Sequence, residues 1–218
     1  MARPTTRHQP GRAAVVLVFG ESRNDRLAIV RLIEAFCPDL AGRVRERPHP
    51  VSLNRSASQR SVSGWIERIA DAASSHDQPV VCVFVHRDAD RPDPGGQLHR
   101  ETEVALRHAG ITGAHAVVPV EEIEAWWMLF PAATERLRRS WRGTLKRADR
   151  DLDTVRDPKE ELKRLTRRGD RRHAYSEADS PSVAGHVAAA IADGAEPVGR
   201  SRYFERSVNA VSECCRAA

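Results

Sequence analysis

The chain has 218 residues, 35 Lys plus Arg against 30 Asp plus Glu, a formal net charge of +5, and 40% hydrophobic but only 5% aromatic residues. That length supports one domain with a core of its own and a small appendage, and argues against two domains of ordinary size. The apolar residues gather in runs, which excludes a disordered chain; no run approaches a membrane span, and the basic start "MARPTTRHQPGR" leads into no signal-peptide core, so the expected location is the cytoplasm.

Residues 1–12 read as a flexible tail. Ala13 to Phe19, "AAVVLVF", is short, β-branched and apolar throughout, the pattern of a strand covered on both faces. It stops at Gly20. "NDRLAIVRLIEAF" then sets Leu27, Val30 and Ile33, and Ile29, Leu32 and Phe36, at helical spacing, with Asn24 as N-cap and Pro38 closing the segment. Arg43 to Val51 carries Pro48 and Pro50 and fits only an edge strand. "SQRSVSGWIERIADAAS" predicts a second helix, Val80 to Val85 a second buried strand, Gln97 to His108 a polar helix, and Ala116 to Val120 a shorter strand.

Strands alternating with helices imply right-handed crossovers and a mainly parallel, four-stranded sheet of Rossmann-like type over residues 13–130. Beyond it the pattern is helical: "EEIEAWWMLF", Pro131 to Trp141, "DPKEELKRLTRR", "SVAGHVAAAIAD" and "YFERSVNAVSECC". Residues 131–218 are therefore expected as a helical extension packed on the α/β domain, across a soft boundary. Cys37, Cys82, Cys214 and Cys215 lack CxxC spacing, and two of them sit in apolar segments, so they read as reduced packing residues.

In an open parallel sheet, ligands bind beyond the carboxyl ends of the strands, where the strand order reverses. The first strand ends at Gly20-Glu21, the third at His86-Arg87-Asp88-Ala89-Asp90, and the fourth runs into Glu121, Glu122 and Glu124. If the first and third strands are neighbours, Glu21, Asp88 and Asp90 converge. Clustered carboxylates repel and raise one another's pKa unless a cation sits among them, and oxygen donors suit Mg²⁺. The alternative, that Asp88 and Asp90 cap the next helix or tether the loop, is outweighed by the strand context together with Glu21. Acids opening a helix favour its dipole, so capping is the expectation for Glu121 and Glu122, with Glu124 evenly placed between capping and the site. Trp126 and Trp127 read as packing residues, and His86 as a hydrogen-bonded strand end.

Other loops are excluded by spacing. "HRD" lacks the asparagine and glycine-rich loop of a protein kinase; acids counted from Asp88 miss the EF-hand positions; neither GxxxxGK[ST] nor GxGxxG follows the first strand. The basic excess is local: between Thr134 and Arg172 there are 15 Arg plus Lys against 8 Asp plus Glu, a net +7. Such a surface attracts phosphate, although a solvated helix face with ion pairs accounts for the charge equally well.

"LVFGESRND" and "VFVHRDAD" resemble the two acidic motifs of the TOPRIM domain, the metal-binding module of topoisomerases, bacterial primases and overcoming-lysogenization-defect nucleases. "VPVEEIEAWW", "DPKEELKRL" and "YFERSVNAV" resemble segments of bacterial TOPRIM-like proteins. Ser22 stands where the family usually has glycine. The resemblance implies a TOPRIM-type fold and a Mg²⁺-dependent (or Mn²⁺-dependent) nuclease acting on DNA or RNA, with an ATPase partner and a place in bacterial phage defence or repair. It implies that Glu21 is a metal ligand or the acid and base, and that Asp88 and Asp90 hold the ion. Asp25 and Glu124 are candidates for a second metal or outer support, and Lys159 for contact with the scissile phosphate. The alternative is a TOPRIM-like module that binds nucleic acid or an ATPase without turnover.

Overall fold

Val15–Gly20, wholly buried, forms the first strand, β1, and its apolar residues need cover on both faces. The computed structural model describes residues 13–50, 59–89, 96–119, 121–145, 150–169 and 171–218. Asp90 and the predicted tail, residues 1–12, lie outside them. Around β1 the described residues build a four-stranded parallel sheet in the order β2-β1-β3-β4, with β2 at Val44–Pro48, β3 at Val80–His86 and β4 at Ala114–Val117. β1 and β3 are thus neighbours. The chain leaves β1 toward β2 on one side and continues from β3 to β4 on the other, so the strand order reverses between β1 and β3.

Strand alternation divides the core in two. Val16, Val18, Cys82 and Phe84 face helix α1 (Arg23–Phe36), while Val15, Leu17, Phe19, Val83 and Val85 face α2 (Gln59–Ser74) and α3 (Gln97–His108). α7 (Ser180–Ala192) lies against α1, and α8 (Arg202–Ala217) reaches α1, β3 and β4 on the same side. Phe204 of α8 meets Phe36, Trp126 and Phe130 edge-on. Trp126 and Trp127 are buried packing residues as expected, Trp127 donating Nε1–H to Ser180 Oγ at 3.2 Å.

Five sequence expectations are corrected. The N-cap of α1 is Ser22, whose Oγ accepts from the backbone N–H of Asn24 and Asp25 at 3.0 and 3.3 Å. Asn24 is therefore already inside the helix. β4 lies two residues earlier than the apolar run suggests, because its last partner on β3 is His86, paired with Val117.

The predicted helix over "EEIEAWWMLF" is reduced to α4, Glu124–Trp127, and the Pro131 to Trp141 stretch to α5, Pro131–Thr134, followed by single 3₁₀ turns. Glu121 has φ +58°, a left-handed conformation that cannot begin an α-helix.

The cysteines are not free. Cys37 is bonded to Cys215 and Cys82 to Cys214. Adjacent helical residues project about 100° apart, so the Cys214–Cys215 pair reaches two elements at once: the end of α1 and the middle of β3. Sequence spacing carries no trace of partners separated by 178 and 132 residues.

Candidate metal centre

Past the end of β3 the chain stays paired with the β4 side, Arg87 N donating to Val117 O at 3.1 Å and Ala89 N to Pro119 O at 3.3 Å. His86 and Asp88, two residues apart on extended chain, therefore share the face occupied by α1. The capping of α1 by Ser22 sets Asp25 in its first turn above that face. The outcome is one cluster: a ligand atom from each of Asp25, His86 and Asp88 lies within 4.8 Å of the others, and the group could hold a metal ion. The sequence reads His86 as a hydrogen-bonded strand end, whereas the structure sets it in the cluster; a histidine that closes a buried strand with an acid two residues on is the signal for it.

β1 shapes the other wall. Arg26, buried beneath the turn, donates Nη1–H to the carbonyls of Gly20 and Glu21 at 2.8 and 3.1 Å and pairs through Nε with Glu46 Oε2 at 2.6 Å. A Cβ on Gly20 would come within 2.8 Å of Arg26 Cγ and 3.4 Å of His86 Cβ and Nδ1. Glycine is what lets the arginine and the histidine close on the strand end together.

His49, which the sequence did not single out, crosses the strand ends. Its Nε2 lies 2.9 Å from the carbonyl oxygen of His86 and its ring meets Trp65 edge-on. A carbonyl only accepts, so that nitrogen carries the hydrogen. Burial, with the charges of His86, Arg26 and Arg87, lowers its pKa to about 4 despite that bond, and it is neutral at pH 7.

The groups of the cluster shift one another's protonation. Burial raises the pKa of Asp25, and Asp88 and Glu177 push it further up against the opposing effect of His86 and Ser22. Burial alone would lower His86, but Asp88, then Asp25 and Glu21, outweigh it and hold the imidazole up to about 9.

The predicted site residues fall in different places. Asp25 and Asp88 belong to the cluster. Glu21 is exposed at its rim, its charge felt by His86, but it is not one of the three groups that meet. Asp90 lies outside the described residues. Glu124 is buried, accepts the Tyr175 hydroxyl at 2.8 Å, and is driven up to about 7 by burial first, with repulsion from Asp25 and Glu122. The ammonium of Lys159 is held by Glu122 Oε1 at 2.9 Å and Glu177 Oε1 at 2.5 Å.

Capping was the right chemistry for Glu121 and Glu122 on the wrong helix. Glu121 Oε2 accepts from Asp157 N, and Glu122 Oε2 from Lys159 N at 3.0 Å, which satisfies the start of α6 (Pro158–Arg167). Glu121 and Asp157 are both left-handed, at φ +58° and +47°, and they contact each other. Non-glycine residues hold such conformations only where the surroundings enforce them, and here the contact anchors α6 beside the strand ends.

The other end of α6 meets a basic surface. Gly169 sits so close to the Ser140 carbonyl that a Cβ there would be 1.8 Å from it. This brings Arg139 and Arg142 alongside Arg167, Arg168 and Arg171; all five are exposed, and none forms an ion pair among the described residues. A helix of 10 residues spans about 15 Å.

Fold and cluster together define an α/β protein of Rossmann-like type with a candidate cation site at the switch point of its sheet. Compared with protein-family models, with curated proteins and with solved structures, the chain finds no match.

Proposed function

We propose that this protein is a TOPRIM-type nuclease that hydrolyses phosphodiester bonds of DNA or RNA with the help of Mg²⁺ or Mn²⁺. The observation that carries the reading is the meeting of Asp25 and Asp88, residues of the two motifs that resemble that domain, at the strand-order reversal. Asp25, His86 and Asp88 would hold the ion. Bound there, it would supply charge neutralisation on the scissile phosphate and a more acidic water.

Glu21, on the exposed rim, faces the solvent from which the attacking water comes and serves to orient it. Lys159, one side chain away through Glu177, offers a cation that exchanges a carboxylate for a phosphate oxygen. The exposed arginines at the far end of α6 hold the flanking backbone, which matches a partner with a charge at every nucleotide.

A second reading, a module that binds nucleic acid or an ATPase partner without turnover, draws on the separation of Glu21 from the cluster. Phage defence or repair in the bacterial cytoplasm is the setting that the TOPRIM resemblance brings with it. The cytoplasm is reducing, so the four cysteines would stand there as thiols and the disulfides would be the oxidised form. Among the described residues no helix is long and apolar enough to cross a membrane.

The test is cleavage of plasmid, single-stranded DNA and RNA with Mg²⁺, Mn²⁺ or chelator, by the unaltered protein and by Asp25→Ala, Asp88→Ala and Glu21→Ala. Metal-dependent cutting lost in the variants is expected. Equal cutting by all four proteins sinks the hydrolytic reading, and binding without cutting by the unaltered protein selects the second.

A further inference from the structure

We infer that the ion at this site is a first-row transition ion of the Mn²⁺ type, preferred over Mg²⁺, and that His86 Nε2 is one of its ligands beside carboxylate oxygens of Asp25 and Asp88. The inference rests on the metal-dependent reading above and deepens it by naming the ion.

His86 is fully buried, and neither ring nitrogen has a hydrogen-bond partner among the described residues; Asp88 Oδ1 is likewise buried and unbonded. An orphaned buried polar atom is costly, and a fold retains such atoms when something else completes them. The contact between them is short but poorly directed: Nε2 lies 3.2 Å from Oδ1. Two donors at right angles on an ion with bonds of about 2.1 Å stand about 3 Å apart, and two on opposite sides about 4.2 Å. The 3.2 Å pair matches two adjacent positions of one coordination sphere, and Asp25, within 4.8 Å of both, joins them with a shift of a few tenths of an ångström. Nδ1 lies against Gly20, which leaves Nε2 as the nitrogen directed at the acids.

An imidazole in the set decides between ions. Mg²⁺ favours oxygen donors and gives up its water reluctantly. Mn²⁺ accepts carboxylates as readily as Mg²⁺ and, although it stands lowest of the first-row ions in affinity for nitrogen, it takes an imidazole more readily than Mg²⁺ does. Carboxylates from two elements and an imidazole from the end of a buried strand make a set that Mg²⁺ uses poorly.

The test uses the full chain, stripped with chelator and titrated with Mn²⁺ while the free-ion resonance is followed. One tightly bound Mn²⁺ per chain is expected, displaced only by Mg²⁺ in excess, with nitrogen coupling in the pulsed resonance spectrum of the bound ion. His86→Asn should weaken Mn²⁺ at least about tenfold and Mg²⁺ far less. Should that variant fail to fold, the nitrogen coupling of the unaltered protein decides alone. Absence of bound Mn²⁺, bound Mn²⁺ without nitrogen coupling, or Mg²⁺ binding equally tightly overturns the inference. The two readings fail separately: Mg²⁺-driven cleavage without nitrogen coupling removes only this inference, and nitrogen-coupled Mn²⁺ without cleavage removes only the hydrolysis.

Discussion

His86 Nε2 stands 3.2 Å from Asp88 Oδ1 because the chain beyond β3 remains extended against Val117 and Pro119, which turns residues two apart to one side. A tight turn at Arg87 would have sent Asp88 elsewhere and left His86 a buried histidine without an acid.

Filling that site should stabilise the fold. At a free-ion concentration a hundred times Kd, a ligand specific to the native state adds about 2.7 kcal/mol. For a chain of this size that corresponds to a rise in Tm of about 5–10 °C. Scanning calorimetry of chelator-stripped protein with and without Mn²⁺ checks this, and the rise is expected to vanish in Asp25→Asn and Asp88→Asn.

The metal-free protein should lose stability with rising pH through Glu124. Its native pKa is raised from 4.5 to about 7, so the native state binds this proton more tightly than the unfolded chain. The contribution is fully present below pH 4.5 and is lost as pH climbs through 7. Glu124→Gln keeps an acceptor for the Tyr175 hydroxyl and removes the titration. Its Tm should exceed that of the unaltered protein at pH 8 by the equivalent of a few kcal/mol at most, with little gain at pH 4.5.

Gly20→Ala should damage fold and site together. The added carbon would meet Arg26 Cγ at 2.8 Å, and Arg26 cannot swing away while Gly20, Glu21 and Glu46 hold its guanidinium. A cost of about 1–3 kcal/mol is expected, read as a lower denaturant midpoint, together with weaker Mn²⁺ binding because His86 is pressed from the same side.

Reduction should loosen α8. Loss of a disulfide closing a long loop costs about 2–5 kcal/mol, so a phosphine reductant is expected to lower Tm. Cys215 is half-buried and Cys214 buried. Exchange needs access to sulfur, and Cys37, Cys82 and Cys214 are all buried, so the Cys37–Cys215 bond should be reduced first through Cys215, and alkylation followed by mass spectrometry should label Cys215 before Cys82 and Cys214. Simultaneous labelling would refute the order.

The arginine surface predicts a salt signature. Replacing Arg167 and Arg171 with alanine should weaken binding of unrelated sequences alike and reduce the slope of log K against log salt by about 0.7–0.9 per lost phosphate contact. Fluorescence anisotropy with labelled single and double strands across salt concentrations measures it. An unchanged slope would place the nucleic-acid contacts elsewhere.

The local pattern alone determined β1, β3, α1 and α3 to within a residue or two, because burial on both faces writes a continuous apolar run and a one-sided helix writes a 3.6-residue period. Pro48 and Pro50 likewise marked β2 as an edge strand, where a missing N–H costs no ladder bond. The acids at the strand ends were visible as chemistry. Which of them meet was not: Asp25 joined Asp88 because Ser22 set the start of α1, and Glu121 and Glu122 went to the start of α6, 36 and 37 residues onward. The cysteine partners and the position of His86 beside the acids were decided in the same way. Secondary structure follows from neighbours along the chain, which a sequence displays in order; a shared ion site or a disulfide follows from distances across the fold, which depend on every helix start and strand register at once.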